Sequence, residues 1–333
     1  MILIDSYNRV HDYLRFSLSD KCNLNCVYCN PAVQNLKQLR KDEILTNEEI
    51  IRLLNIFVKH FEFKKIRFTG GEPLIRKDII DLFSELKPLH ENYGLEIGIT
   101  TNGILLCEIM NRLKESGVTK LNISLDTLQE KRFMKITGKD RFNEVMDSIM
   151  LAEELGFYPL KINCVVMKGI NDDEIIDFVN FVKNKEMNIR FIEYMPFSGN
   201  GWHEGKFIGC QEIKTVIENK FCLTPFISNK NEVANNFKIS GHKGMVSFIS
   251  SISNHFCERC SRLRITSEGN LKLCLFSPVN KELSLKEFLK NNTYSDEESA
   301  GFIQSKVQEK EYIHPGIDDL LKLEKNNMLS IGG

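Results

Sequence analysis

The fold of this 333-residue chain is predicted from one stretch, Tyr13-Leu-Arg-Phe-Ser-Leu-Ser-Asp-Lys-Cys-Asn-Leu-Asn-Cys-Val-Tyr-Cys29. Its first part, Leu14 to Leu18, has the short apolar pattern of a β-strand. Three cysteines with the spacing CxxxCxxC follow before any helical pattern begins. A strand that leads into a loop with reactive side chains is typical of βα barrels, whose functional groups lie in the loops after the strands.

The same order of elements repeats as far as Glu193. Short runs rich in β-branched or aromatic residues alternate with longer stretches of helical periodicity, which is typical of βα units joined by right-handed crossovers. One helical stretch, Thr46 to Phe61, opens with a capping box in which Thr46 is the N-cap and Glu49 its partner. The six predicted strands are Leu14 to Leu18, Lys65 to Thr69, Leu95 to Thr100, Lys120 to Leu125, Leu160 to Val166 and Asn188 to Glu193.

Six βα units are too few to close an eight-stranded barrel. The predicted fold is therefore α/β, a partial (βα)6 TIM-like barrel over residues 1–196, with the motifs in the loops after the strand C-termini. After Pro196 the pattern changes to a Gly-rich stretch, an amphipathic segment near Gln211 to Phe221, and hairpin-like runs beside more cysteines. We expect residues 197–333 to form a smaller C-terminal α+β domain that carries a second cluster and ends in a Gly-Gly tail.

Composition limits the classes of function. Apolar residues make up 42% of the chain and charged residues 27%, and no apolar run reaches the ~20 residues that span a bilayer, so we expect a soluble protein without a membrane partner. The start, Met1 to Asp5, lacks the features of a secretion signal, which favours a cytoplasmic location. A net charge of −1 argues against non-specific nucleic-acid binding. Ten cysteines in a reducing compartment are typical of metal or redox chemistry.

Cys22, Cys26 and Cys29 form the first cysteine group. A structural zinc site needs a fourth ligand at comparable spacing, and no His or Cys follows soon after, so three thiolates favour a [4Fe–4S] cluster with one open iron. Such an iron can chelate the amino and carboxylate groups of S-adenosylmethionine (SAM), whose reductive cleavage releases a 5′-deoxyadenosyl radical. Tyr28 is placed to flank the cluster. An incomplete zinc site and three buried free cysteines are the alternatives.

A glycine motif, Thr69-Gly-Gly-Glu-Pro73, follows the second predicted strand. Glycines after a strand are commonly turn formers, but here the missing side chains would let the backbone approach the methionine part of SAM. Together with CxxxCxxC, this motif resembles the radical SAM superfamily, where it contacts the SAM amino group.

The second cysteine group consists of Cys257, Cys260 and Cys274. A zinc ribbon would need CxxC twice, so a second iron–sulfur cluster with an open iron is favoured, although His255 could complete a zinc site. Arg262 and Arg264 lie two residues apart on the extended segment that follows, so both side chains can point to the same side. Their planar donors suit the oxygens of a polyphosphate.

With this second group, the chain resembles the molybdenum cofactor biosynthesis protein A family, the GTP 3′,8-cyclases, from about Leu14 to the final glycine. In that family three cysteines hold each cluster, and the open iron of the second faces the guanine of GTP. The terminal Ser330-Ile-Gly-Gly333 resembles the family's Gly-Gly tail, which enters the active site. Ser261 stands where the family has Asn, and Asn30-Pro31-Ala32 where it has Met-Pro, but neither departure removes a ligand.

The resemblance also implies site residues, position by position. Those that would bind GTP are Arg15, Arg67, Thr100, Lys161, Arg262, Leu263 and Arg264. Those that would bind SAM are Tyr28, Gly71, Ser124 and Met195. Those implied in catalysis are Cys22, Cys26, Cys29, Arg262, Arg264, Gly332 and Gly333. Without the family pattern, Ser124 is an ordinary strand hydroxyl and Met195 a core side chain.

The implied reaction converts GTP to (8S)-3′,8-cyclo-7,8-dihydroguanosine 5′-triphosphate, the first step of molybdenum cofactor biosynthesis. The radical takes hydrogen from the ribose C3′, and that carbon attacks guanine C8, while the arginines and Lys161 hold the triphosphate. The resemblance further implies a reducing partner of the flavodoxin or ferredoxin type and a downstream pyranopterin-forming enzyme, and it leaves a homodimer open. A peptide-modifying radical SAM maturase and a zinc-stapled binding module are the rival functions.

Overall fold

The structure is a computed structural model that describes residues 1–29, 38–197, 199–227, 233–289, 294–322 and 328–332. Its strands are β1 (Leu3–Ile4), β2 (Val10–His11), β3 (Tyr13–Ser17), β4 (Lys65–Thr69), β5 (Glu96–Thr101), β6 (Lys120–Ser124), β7 (Leu160–Val166), β8 (Met187–Glu193), β9 (Leu223–Phe226), β10 (Asn235–Ile239), β11 (Met245–Ile249), β12 (Arg262–Ile265), β13 (Asn270–Lys272) and β14 (Leu283–Ser284). β1 and β2 pair with each other, and the rest form one sheet in the order β14-β13-β12-β3-β4-β5-β6-β7-β8-β11-β10-β9.

The six central strands, β3 to β8, are parallel neighbours in chain order. They are the six predicted strands, and each boundary lies within one residue of the prediction. The α/β fold with a parallel sheet is therefore confirmed. One face of each strand is buried under the helices, where Phe16 and Phe68 pack with ring centroids 5.9 Å apart. The other face lines the barrel interior, because side chains alternate along a strand.

The C-terminal part of the chain extends this sheet at both edges. β11 pairs in parallel with β8, and β10 and β9 continue that edge. β12 pairs in parallel with β3, and β13 and β14 continue the other. The two edges that six βα units would leave open are both paired in this way. The division into domains at Pro196 stays a prediction.

The helices are α1 (Asn47–Asn55), α2 (Ile79–Tyr93), α3 (Leu106–Glu115), α4 (Glu130–Thr137), α5 (Phe142–Glu154), α6 (Ile175–Phe181), α7 (Cys210–Glu218), α8 (Lys286–Leu289), α9 (Asp296–Val307), α10 (Ile317–Leu320) and α11 (Met328–Ile331). The predicted capping box of α1 is confirmed, since the Thr46 side chain accepts from the Glu49 N–H while Glu49 Oε2 accepts from the Thr46 N–H at 2.8 Å. A π-helical turn, Ile56–His60, completes the predicted helical stretch. Within the described ranges, no helix is long and apolar enough to cross a membrane.

Candidate active site

The first cysteine loop leaves the C-terminal end of β3 and packs against the end of α4. The backbone N–H groups of Asn25 and Val27 donate to the carbonyls of Thr137 and Ile136, each at 2.9 Å. These two bonds fix the middle of residues 22–29, so the three thiols of the first group lie in one compact loop.

Burial and nearby negative charge oppose the ionisation of the three thiols. Burial raises the pKa of Cys22 to about 11 and that of Cys29 to about 12, where the charges of Cys22 and Asp126 add to the effect. Burial, Asp126 and the other two cysteines raise the pKa of Cys26 well above its usual range. A positively charged iron–sulfur core would relieve this repulsion, so the donor set fits a [4Fe–4S] cluster. In the described part of the chain, no three His, Cys, Asp or Glu side chains converge on one metal ion.

Gly70 and Gly71 bring the glycine motif against the cysteine loop. A Cβ on Gly71 would lie 2.2 Å from the carbonyl oxygen of Lys21, and one on Gly70 would lie 2.5 Å from that of Ser19. The Gly71 N–H also donates to the Ser19 carbonyl at 2.6 Å. The observed reason for both glycines is therefore the approach of the cysteine loop's own backbone.

Glu72 of the same motif connects three parts of the site. It is buried and accepts hydrogen bonds from the Leu74 N–H at 3.0 Å, the Thr101 hydroxyl at 2.8 Å and the Asn102 N–H at 2.7 Å. The Asn102 side-chain amide lies 3.8 Å from Cys22 Sγ. Burial raises the pKa of Glu72 to about 7. Glu72 thus links the end of β5 to the cysteine loop.

Two buried polar residues that the sequence did not single out, Asp126 and Asn200, hold the predicted SAM contacts. The Tyr28 hydroxyl donates to Asp126 Oδ2 at 2.7 Å. The Asn200 side-chain amide donates to the carbonyls of Tyr28 at 3.0 Å and Met195 at 2.9 Å. Asn200 therefore joins the cysteine loop to the segment after β8 and places Tyr28 and Met195 side by side.

The barrel interior holds a cavity of about 580 Å³, a size that suits a small-molecule ligand. The predicted residues that line it are Arg15, Arg67, Lys161, Met195, Arg262, Arg264, Cys257, Cys260 and Cys274. His255, the alternative zinc ligand, also lines the cavity. The structure thus brings the predicted polyphosphate-binding cations together with the second cysteine group, and Met195 reaches the same space from the SAM side.

The cavity wall is densely cationic. Burial, with Arg15 and Arg262 nearby, lowers the pKa of Arg264 well below its usual range, and burial lowers that of Arg15 to about 10. Burial would raise the pKa of Tyr13, but Arg67 and Arg15 lower it to about 7. Cations that destabilise one another in this way are stabilised by an anionic ligand.

Four predicted site residues are not among those that line the cavity: Gly71, Thr100, Ser124 and Leu263. The Leu263 side chain is fully buried in the hydrophobic core, so only its backbone faces the interior. Thr100 Oγ1 is buried and has no hydrogen-bond partner among the described residues. Ser124 ends β6 beside Asn163. Gly71 lies against the cysteine loop, as described above.

The two cysteine groups lie at opposite ends of the barrel strands. β12 runs parallel to β3 with Arg262 opposite Tyr13, so Cys260 precedes the start of both strands, whereas Cys22 follows the end of β3. A five-residue strand spans about 13 Å, which sets the scale of the separation. The expectation that the motifs lie after the strand C-termini holds for the first group. The second group, which was predicted in the C-terminal part of the chain, flanks the N-terminal end of β12.

Residues 309–315, which the sequence did not single out, cover the second cysteine group on its outer side. Lys310 is only 3% exposed, and its Nζ lies 3.8 Å from Cys260 Sγ and 2.6 Å from the Arg262 carbonyl oxygen. Burial alone would raise the pKa of Cys260, but Lys310 and Arg262 lower it to about 6. A thiolate is therefore favoured at Cys260, and three cysteines in this cationic setting fit a second iron–sulfur cluster.

The C-terminal tail enters the same interior. The Gly332 carbonyl accepts from Arg264 Nη1 at 2.8 Å, and the Ser330 carbonyl accepts from the Ser267 N–H at 3.0 Å. Gly332 has φ +77°, and a Cβ there would lie 1.8 Å from Thr69 Oγ1. Only glycine fits between β12 and the glycine motif. Gly333 and residues 30–32 lie outside the described residues.

Comparison with known proteins extends over both parts of the chain. The family model described as Radical SAM superfamily matches residues 16–182, and that described as Molybdenum Cofactor Synthesis C matches residues 187–315. Streptococcus suis SuiB bound to S-adenosylmethionine has a similar fold, with a TM-score of 0.62 and 19% identity, covering 90% of this chain and 69% of that chain. Native anSMEcpe with bound AdoMet has a TM-score of 0.54 and 16% identity, covering 84% and 80%.

Curated relatives are more similar in sequence. The mitochondrial GTP 3′,8-cyclase of Arabidopsis thaliana is 43% identical over 100% of this chain and 84% of its own length. The GTP 3′,8-cyclase of Listeria monocytogenes is 42% identical over 87% of this chain and 86% of its own length. Human molybdenum cofactor biosynthesis protein 1 is 42% identical over 99% of this chain, which spans 51% of the human protein. This chain belongs to the radical SAM superfamily and, within it, to the family of the GTP 3′,8-cyclases.

Proposed function

We propose that this protein is a GTP 3′,8-cyclase, a radical SAM lyase that converts GTP to (8S)-3′,8-cyclo-7,8-dihydroguanosine 5′-triphosphate in the first step of molybdenum cofactor biosynthesis. The observation that carries the proposal is the cavity in which Arg15, Arg262 and Arg264 face the second cysteine group. Crowded guanidinium groups suit a triphosphate, and an open cluster iron beside them would anchor the base of the same nucleotide. The Arabidopsis and Listeria relatives are both named as GTP 3′,8-cyclases, which agrees with this assignment.

Each cysteine group would hold one [4Fe–4S] cluster. The first group is Cys22, Cys26 and Cys29, and the second is Cys257, Cys260 and Cys274. When bound, the first cluster and SAM supply a 5′-deoxyadenosyl radical. What the chain must contribute is position, since a substrate carbon held within reach of its reaction partner reacts far faster than a free one.

Four residues are proposed to hold SAM: Tyr28, Gly71, Ser124 and Met195. Asn200 fixes the relative position of Tyr28 and Met195, because one side-chain amide donates to both of their carbonyls. Asp126 fixes the Tyr28 ring through its hydroxyl. These three hydrogen bonds hold Tyr28 and Met195 in one arrangement at the SAM end of the site.

The residues proposed to hold GTP are Arg15, Arg67, Thr100, Lys161, Arg262, Leu263 and Arg264. Arg67 is 2% exposed, and its Nη1 donates to the Ile99 carbonyl at 3.1 Å. A Cβ on Gly98 would lie 2.8 Å from its guanidinium, so Gly98 provides the space in which Arg67 lies along β5. Leu263 would contribute only its backbone.

The terminal Gly332 and Gly333 are proposed to complete the site. The bond from Arg264 Nη1 to the Gly332 carbonyl uses one donor of that guanidinium and orients the remaining donors. The tail would in this way orient Arg264 toward the substrate.

Several partners belong to the same proposal. A flavodoxin- or ferredoxin-type protein would supply electrons, and a pyranopterin-forming enzyme would take the product. A cytoplasmic location and the two-domain division at Pro196 are also proposed. The Arabidopsis relative is named as mitochondrial, so fractionation of the source cells has to test the location.

The test is an anaerobic assay of reconstituted protein with SAM and dithionite in the presence of GTP, ATP or no nucleotide. Mass spectrometry follows 5′-deoxyadenosine and nucleotide products. We expect deoxyadenosine to rise with GTP alone, together with a product of the same mass as GTP whose C3′ and C8 are joined. SAM cleavage that is indifferent to the nucleotide would reject the cyclase, and stoichiometric zinc without sulfide would reject radical SAM chemistry.

Matched cysteine variants locate the activity. Cys257→Ser should remove the cyclised product and lower iron and sulfide by one cluster, because it removes a proposed ligand. Cys222→Ser changes an exposed cysteine outside both groups and should leave both readouts at the level of the unaltered protein. Equal loss in the two variants would show general damage to the fold instead.

A further inference from the structure

We propose that Lys310 is a positioning residue that sets the reduction potential of the second cluster, by directing a buried ammonium group at Cys260. This inference rests on the two-cluster enzyme proposed above. It assigns a role to a residue outside every motif that the sequence displays.

The geometry around Lys310 is specific. Among the described residues its Nζ has two hydrogen-bond acceptors, Cys260 Sγ at 3.8 Å and the Arg262 carbonyl at 2.6 Å, and neither is a carboxylate. A second buried lysine, Lys272, provides a contrast. Its Nζ lies 3.0 Å from Glu282 Oε1, so its charge is balanced locally. The charge of Lys310 is instead directed at the cysteine group.

The segment that carries Lys310 is fixed from two sides. Arg9 donates to the Cys257 carbonyl through Nη1 and to the Glu311 carbonyl through Nη2, each at 2.8 Å. On the other side of Lys310, the His314 ring Nε2 lies 3.0 Å from the Ser251 carbonyl oxygen. The backbone that carries Lys310 is therefore held by Arg9 and by Ser251, so the position of the ammonium group does not depend on the flexible lysine side chain alone.

The direction of the effect follows from charge. Reduction adds one electron, and so one negative charge, to a cluster that three thiolates already make anionic. A cation bonded to a ligand sulfur and shielded from water stabilises the reduced form more than the oxidised form. Hydrogen bonds to the sulfurs are among the factors that set cluster potentials. Lys310 should therefore make the second cluster easier to reduce.

The experiment is an EPR-monitored redox titration of the reconstituted full-length protein. Adding SAM should change the EPR signal of the first cluster, which identifies that signal. The full-length Cys22→Ala/Cys26→Ala/Cys29→Ala protein lacks the ligands of the first cluster and gives the EPR signal of the second cluster alone. We expect Lys310→Met to lower the ratio of reduced to oxidised second cluster at a fixed potential by about tenfold, which corresponds to about 59 mV for one electron. Lys310→Arg keeps the charge and should stay within about threefold of the unaltered protein.

Lys281→Met is the matched control. Lys281 pairs with Glu311, the residue that follows Lys310. The Lys281 side chain is 54% exposed, so removing its charge should leave the midpoint potential of the second cluster unchanged. An unchanged midpoint in Lys310→Met, with iron and sulfide for two clusters, overturns the inference. If Lys310→Met does not retain the second cluster, Lys310→Gln is compared with Lys310→Arg. Equal midpoint potentials of the second cluster in these two variants also overturn the inference. Iron for a single cluster in the unaltered protein rejects the proposed function itself, before Lys310 is tested.

Discussion

Gly332→Ala should expel the C-terminal tail from the barrel interior. Two costs arise at this position. An alanine at φ +77° lies in the left-handed region, which costs about 1–2 kcal/mol and by itself reduces the inserted population roughly 5- to 30-fold. The new Cβ would also lie 1.8 Å from Thr69 Oγ1, where ordinary van der Waals contact begins at 3.4 Å. We expect the inserted population to fall beyond the range set by backbone strain alone.

Thr69→Ala separates the two costs. It removes the clashing hydroxyl, and this hydroxyl has no hydrogen-bond partner in the described ranges, so the tail should stay inserted in the single variant as in the unaltered protein. In the double variant with Gly332→Ala, the severe clash should be gone. The backbone strain should remain, together with tight contacts of 3.2 Å from the new Cβ to the Cβ of residue 69 and to Gly70 N. Gly301→Ala is the control for an added methyl group, since a Cβ at Gly301 would meet nothing within 4 Å.

Two measurements follow the tail. Hydrogen exchange reports the Ser267 amide, which donates to the Ser330 carbonyl only while the tail is inserted. GTP-dependent deoxyadenosine formation reports the consequence for the proposed reaction. Full protection of Ser267 in Gly332→Ala would refute the steric reasoning. Equal exchange in the single Gly332→Ala and the double variant would show that Thr69 is not the obstacle.

Three further changes test other parts of the structure. Asn200→Ala removes both bonds that join Tyr28 to Met195 and should raise the KM for SAM about tenfold without loss of iron, whereas an unchanged KM, from initial rates over a SAM series, would contradict this. Burial lowers the pKa of His11 from 6.5 to about 4, so the free energy of unfolding should decrease by about 3 kcal/mol as pH falls from 6.5 to 4, because the unfolded chain binds the proton more readily. Denaturant titrations at several pH values should show a smaller decrease in the free energy of unfolding for His11→Gln. An equal decrease in both proteins would mean that His11 is not its source. Leu263→Ala should lower the free energy of unfolding by about 2–5 kcal/mol but leave the KM for GTP within twofold, and a large rise in KM would mean that the side chain contacts substrate.

The central fold could be predicted because its signals are local. Each of the six parallel strands is a short apolar run between helical stretches, and Thr46 and Glu49 form the capping box that their spacing indicates. The strands added at the two sheet edges could not be placed in the same way. β12 pairs with β3 across about 250 residues of chain, and no local pattern specifies that partner.

The residues of the candidate active site were also predictable only in part. Both cysteine groups and the cations of the cavity wall are recognisable from spacing or resemblance, since their chemistry requires those residue types. Asp126, Asn200 and Lys310 were missed because a single polar residue carries no pattern, and their partners are distant in sequence. The Asn200 amide, for example, bonds to a carbonyl 172 residues away.

The paired edges of the sheet have a consequence for synthesis of the protein. As the chain leaves the ribosome, β3 and β8 are complete long before β12 and β11 exist, so the nascent barrel exposes two unpaired strand edges. Exposed edges of this kind attract the strands of other chains. The late segments therefore act as built-in protection against aggregation, in addition to carrying the second cysteine group.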